Sequence, residues 1–148
     1  MGSVVRRLGW VLGLAWASPN SVAGLLVALP GLAAGARLSL AEGALHVRGF
    51  PWGGGALALG HVVIWARATP ETRVLSYADH AAGRRDGPRL RLGDHERAHV
   101  LQAMVLGPFY LPAYLACGGV SHRNRFEQAA DRYARTGRGW WPWPRPGA

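Results

Sequence analysis

Hydrophobic and polar positions along this chain change period several times, and each change predicts an element. Residues 8–36 carry no formal charge over 29 positions and are preceded by Arg6 and Arg7. As a single helix they would run about 43 Å against a bilayer hydrocarbon core of about 30 Å, the pattern of a membrane segment. Ser18-Pro19-Asn20-Ser21 interrupts the run, because proline and the capping-type residues beside it stop one helix and start another. Three arrangements fit. They are a cleaved signal peptide with Ala15-Trp16-Ala17 at its end, a single kinked span, and a re-entrant helical hairpin. Past residue 36 the period falls to two. Residues 37–40 and 44–48 alternate around Ala41-Glu42-Gly43, which predicts a β-hairpin. Residues 51–55 form a Gly-rich turn, and residues 56–66 predict one long strand or a strand pair bent at Gly60.

Thr69-Pro70-Glu71 has the form of a helix start and predicts a short helix to about His80, followed by an exposed Gly- and Arg-rich loop over 81–93. A second uncharged run, 100–121, contains Gly107, Pro108 and Pro112. Those breakers argue against a plain transmembrane helix and predict an interfacial or re-entrant segment, the alternative being the core of a soluble domain. Phe126, Ala129, Ala130, Tyr133 and Ala134 recur at the spacing of one helix face. Residues 137–148, rich in Trp, Pro and Arg, predict a disordered or interfacial tail. The fold class is therefore α+β. Residues 1–36 form an apolar helix or helical hairpin in the membrane, and residues 37–136 a small domain with an antiparallel sheet and a pair of helices.

Composition changes this picture in one respect. The formal charge of +9 suggests nucleic acid, but all 17 basic residues are Arg and they make no dense run or basic helix face, so no nucleic-acid partner is expected. Nine Arg fall between residues 37 and 97 and six after residue 122, in short segments flanking the apolar runs. Positive charge there favours the cytoplasmic side of a bacterial inner membrane and so the hairpin arrangement. The lipid bilayer is then the first partner expected. Cys117 is the single cysteine, which excludes a disulfide framework.

Candidate chemistry concentrates in Asp94-His95-Glu96-Arg97-Ala98-His99, which contains H-E-x-x-H. On a helix His95 and His99 share a face and reach one metal ion, while Glu96 projects beside them as the base that takes a proton from water. Two imidazoles make half of a tetrahedral Zn²⁺ site, so a third protein ligand is needed, with the fourth position left open. Glu127 on the 124–134 helix is the candidate, and Asp131, one turn further, is placed to accept the free N–H of a ligating histidine. His122, Tyr110, Tyr114 and Tyr133 are candidates to stabilise a developing oxyanion. His61 and His80 are isolated and read as structural. Gln102 either faces the cleft or extends a polar strip.

H-E-x-x-H followed by Asn124-x-x-Glu127-x-x-x-Asp131 resembles the gluzincin division of zinc metallopeptidases. The chain also resembles an uncharacterised family of small bacterial membrane proteins with an H-E-x-x-H-x-x-Q helix, a G-P-F-x-x-P-A-Y-L stretch and an N-P-F-E helix. Here these read as residues 95–102, residues 107–115 and Asn124-Arg125-Phe126-Glu127, with Arg125 where that family has proline. The likeness covers about residues 55–135. It implies a zincin-like core, with His95, His99 and Glu127 as zinc ligands, Glu96 as catalytic base and residues 56–66 as the strand that holds an extended peptide. The expected activity is that of a membrane-associated zinc metallopeptidase acting on a peptide or protein, with a protein partner or homo-oligomer able to complete the cleft. The alternative is a non-catalytic membrane protein in which the same residues hold a structural metal or a polar helix network.

Overall fold

The structure, a computed structural model, describes residues 2–143. Helices α1 (Gly2–Trp16) and α2 (Ser18–Ala33) meet at Ala17 with a bend of 66°, so the chain turns a corner rather than doubling back as a hairpin. Pro19 causes the break: it sits in the first turn of α2, where its missing N–H costs nothing. No single helix among the described residues is long and apolar enough to cross a membrane, although the bent pair together meets that test by length and composition.

Four strands follow: β1 (Arg37–Ala41), β2 (Ala44–Phe50), β3 (Gly55–Leu59) and β4 (Val62–Ala66), in the spatial order β1-β2-β4-β3. The predicted first hairpin forms, and of the two readings of residues 56–66 the strand pair holds, folded as a second hairpin around Gly60-His61. The sheet is mixed rather than wholly antiparallel, because β4 runs parallel to β2. Burial explains that departure. All of β4 is buried, so it takes the centre, and the chain must pass beyond it through residues 51–54 to lay β3 along the edge. α2 covers one face of the sheet through Ala28 on Val47, Val62 and Ile64. The other face, with Ala44, Ala58, Val63 and Trp65, packs on Leu92 and Val100 of α4 (Leu92–Leu106).

The uncharged run 100–121 is broken by backbone chemistry. α4 ends at Gly107, whose φ of 53° and ψ of −131° suit glycine alone, and any Cβ there would strike the Trp16 indole. Asn20 is buried because its Nδ2 donates to Gly107 O (2.5 Å), and Trp16 Nε1 donates to Val105 O (3.1 Å). The Trp16 bond satisfies a carbonyl that the end of α4 would leave orphaned, and Asn20 gives Gly107 O a second donor beside Tyr110 N. A 3-10 turn over Gly107–Phe109 leads into α5 (Tyr110–Ala116), and α6 (Arg125–Thr136) lies along α4.

The short helix predicted from Thr69 begins later, as α3 (Tyr77–Ala81). Residues 69–72 are committed elsewhere: Leu92 N donates to Thr72 O and Gly93 N to Pro70 O, and the two-residue strands β5 (Arg73–Val74) and β6 (Leu90–Arg91) pair. β6 and the start of α4 thus occupy the last part of the predicted 81–93 loop. Within the C-terminal segment, Trp143 packs edge-on against Phe126, and Arg132 donates to Gly139 O and Trp141 O. Residues 144–148 of the predicted tail lie outside the described residues.

Candidate metal centre

α4 and α6 bring the candidate ligands together. His95 and His99 are one turn apart on α4, with 4% and 6% of their surface exposed. Asn124 sets the start of α6: its Oδ1 accepts from Phe126 N (2.9 Å), while its Nδ2 donates to Tyr114 O (3.0 Å) and Gly119 O (2.7 Å). That cap ties α5 to α6 and places Glu127, which is buried, in the first turn opposite the histidines. His95 Nε2 lies 3.0 Å from Glu127 Oε2, His99 Nε2 lies 3.2 Å from His95 Nε2, and His99 Nε2 lies 3.4 Å from Glu127 Oε2. Ligands about 2.0–2.1 Å from a tetrahedral zinc ion stand about 3.3 Å apart, so the three atoms form one face of such a tetrahedron. Among the described residues this is the one group of three or more His, Cys, Asp or Glu that converges in this way.

The outer partners decide which ring nitrogen carries the proton. Gln102 is fully buried, and its Nε2 donates to Trp140 O (2.8 Å) and Phe126 O (3.3 Å). Its Oε1 must then be the atom facing His99 Nδ1 at 2.9 Å, so His99 Nδ1 bears the hydrogen and Nε2 presents a lone pair to the site. Asp131 Oδ1 does the same for His95 Nδ1 at 3.0 Å, and its Oδ2 accepts from Tyr77 N at 3.1 Å. Two imidazole lone pairs and a carboxylate oxygen thus converge, a set that only a cation relieves.

In the metal-free protein a proton takes that part. Burial works to lower the His95 pKa, but the hydrogen bonds to Asp131 and Glu127 outweigh it and raise the pKa well above the usual imidazole range. For Glu127 burial is likewise outweighed, here by the bonds to His95 and His99, and its carboxyl is held far below the usual carboxylate range. Glu96 is the contrast: burial raises its pKa, opposed by the two histidines and by the Ala58 backbone amide. A carboxylate whose pKa is raised is the better base for taking a proton.

Two cavities meet at the ligands. One, of 80 Å³, runs along residues 56–59 of β3 past Tyr110, Leu111 and Tyr114; the other, of 270 Å³, runs past Gly54, Val74, Tyr77 and His80. Both reach His95 and Glu96, so the groove follows β3 on both sides of the ligands. In the hairpin the flanking pair is Leu59–Val62, which leaves Ala56 and Ala58 with backbone groups pointing away from β4 into the groove.

Of the four candidate oxyanion stabilisers, Tyr110 and Tyr114 line the cleft and His122 and Tyr133 do not. His122 is exposed, and its carbonyl accepts from Gln128 Nε2. The Tyr114 hydroxyl donates to Glu127 Oε1, and burial followed by the Glu127 charge keeps that phenol protonated. His80 is exposed at the rim of the larger cavity, and His61 is buried against the Trp10 ring. Tyr77 escaped the sequence reading. Its ring lies 5.8 Å from that of His95 and borders both cavities. The signal for it was the capping box Ser76-x-x-Asp79: Ser76 Oγ accepts from Asp79 N (3.1 Å) and donates to Asp79 Oδ2 (2.7 Å), which starts α3 at Tyr77. Set against family models, curated proteins and solved structures, the chain matches none of them.

Proposed function

We propose that the protein is a zinc-dependent metallopeptidase of gluzincin type. The observation that carries this reading is the 3.0–3.4 Å triangle of His95 Nε2, His99 Nε2 and Glu127 Oε2, with both histidines turned by outer partners so that their lone pairs meet. When bound, zinc supplies Lewis acidity, acidifying water and polarising a carbonyl. The chain's own groups supply the rest. Ala56 and the Ala58 carbonyl hold an extended peptide against the edge of β3 by strand addition, the Ala58 amide being taken by Glu96. Glu96, between that edge and the ligands, takes a proton from water and returns it to the leaving amine. Tyr77, a protonated phenol beside the ligands, donates a hydrogen bond to the oxygen on which charge develops, while Tyr114 keeps its hydroxyl on Glu127.

The substitution Glu96→Gln tests the assignment. Hydrolysis of a mixed fluorogenic peptide library should fall by about 10²–10⁴-fold, the usual share of a general base, with zinc content unchanged. Retained hydrolysis, or loss of the metal, contradicts the role given to Glu96.

One observation favours a second reading, a closed structural metal site. The cavity beside Tyr114 holds only 80 Å³, and the Tyr114 hydroxyl already sits on Glu127. Four protein ligands on the ion, with no exchangeable position, would establish that reading instead.

A further inference from the structure

The outer surface of α1 and α2 inverts the order expected of a globular helix. Toward the domain the pair presents Gly13, Ala17, Asn20, Gly24, Ala28 and Gly31, all small or polar. Away from it stand large apolar side chains, among them Leu8, Val11 and Leu12 on α1 and Val22, Leu26 and Leu29 on α2, each more than half exposed. At about 100° per residue, the exposed large side chains from residue 8 to 16 and from 22 to 29 each sweep about 200° of their helix. A second protein surface, including another copy of this chain, would meet one stripe of roughly half that width. Hydrocarbon meets the whole arc, and small residues inside with large ones outside is how helices pack when their outer medium is lipid. Arg7 and Arg37 bracket the uncharged stretch at the two positions where it would leave the hydrocarbon.

The packing also sets the direction of insertion. α2, with 16 residues, is about 24 Å long, short of the roughly 30 Å hydrocarbon core. Both helices are lined by the domain along their inner sides, α1 by α4 and α2 by the sheet. A crossing would therefore draw α4 and the sheet, with Arg48 and Arg97, into hydrocarbon. Leu38 and Leu40 extend the surface sideways: they pair with Val47 and Leu45 on the sheet face that α2 covers, and are 52% and 84% exposed.

We propose that the outer face of α1 and α2, with Leu38 and Leu40, is a lipid-bilayer surface, embedded in one leaflet with both ends of the pair on the same side. This stands independently of the metal. The test uses the full chain purified in detergent and transferred to vesicles of phosphatidylcholine and phosphatidylglycerol. Wild type should float with the vesicles and resist high salt, and the double variant L12E/L26E should lose about tenfold in bound fraction while keeping its far-ultraviolet circular dichroism. Single cysteines at Leu8 and Ala36, in a C117S background, should both react with an impermeant maleimide added outside the vesicles. Wild type that stays monomeric in solution without detergent overturns the proposal. So does a detergent-free dimer that hides the face, a double variant that floats as well as wild type, or protection of one of the two cysteines.

Discussion

Gln102 has no exposed surface, and both ends of its amide are engaged, with Trp140 O and Phe126 O on the nitrogen and His99 Nδ1 on the oxygen. Replacing it by Leu keeps the volume but removes the group that turns His99. Zinc affinity in Gln102→Leu, measured by competition with a chromophoric chelator, should fall about 10–100-fold, the usual loss for such an outer partner. His95 supplies a pH test of the same site. Because its folded pKa is raised, it is protonated at neutral pH without metal, and zinc must displace that proton. Affinity should therefore rise with pH, by about tenfold per unit between pH 6 and 8 for one proton released. A flat profile contradicts the assignment. At this scale much of the site was legible: His95, His99, Glu127 and Asp131 stand at helical spacings that bring them to one point. Gln102 was legible only as a position on the right face, since its binding to Trp140 O depends on the path of a segment 38 residues away.

The β1–β2 hairpin was readable as an element because alternation and turn residues are local signals, whereas residues 56–66 were legible as strand but not as one strand or two. The placement of β4 between β2 and β3 was not readable, since it depends on how the burial of Val62–Ala66 competes with that of β3 in three dimensions. The start of α3 departs from the local sequence pattern for a related reason. Thr69-Pro70-Glu71 has the residues of a helix start, but the carbonyls of Pro70 and Thr72 are taken by the N-terminus of α4. A Cβ on Gly24 would lie 2.8 Å from Val62 Cβ and 3.0 Å from Leu59 O, so Gly24→Val forces α2 off the sheet. Its cost should be about 1–3 kcal/mol in chemical denaturation, a typical penalty for overpacking. A neutral result contradicts the close approach of α2 to the β3–β4 hairpin.

For the whole molecule, the ligands are the point at which α4 and α6 are joined, while Glu96 faces β3. A metal held there binds the folded chain and not the unfolded one. At free zinc about 1,000-fold above Kd it should add about 4 kcal/mol, which for a domain of this size raises Tm by roughly 8–16 °C. Chelation should reverse the shift. The N-terminal apolar stretch was legible as two helices divided at Pro19, but not in its 66° turn around the domain, which follows from Asn20 and Trp16 bonding to the end of α4. The metal centre is tested most directly by zinc content, with X-ray absorption of the bound ion, for wild type beside His99→Ala and Glu127→Ala. The expected result is about one zinc per chain, held by two imidazoles and a carboxylate with one exchangeable position, and lost in both variants. Wild type that takes up no metal when zinc is supplied, or variants that bind it as well as wild type, would contradict it.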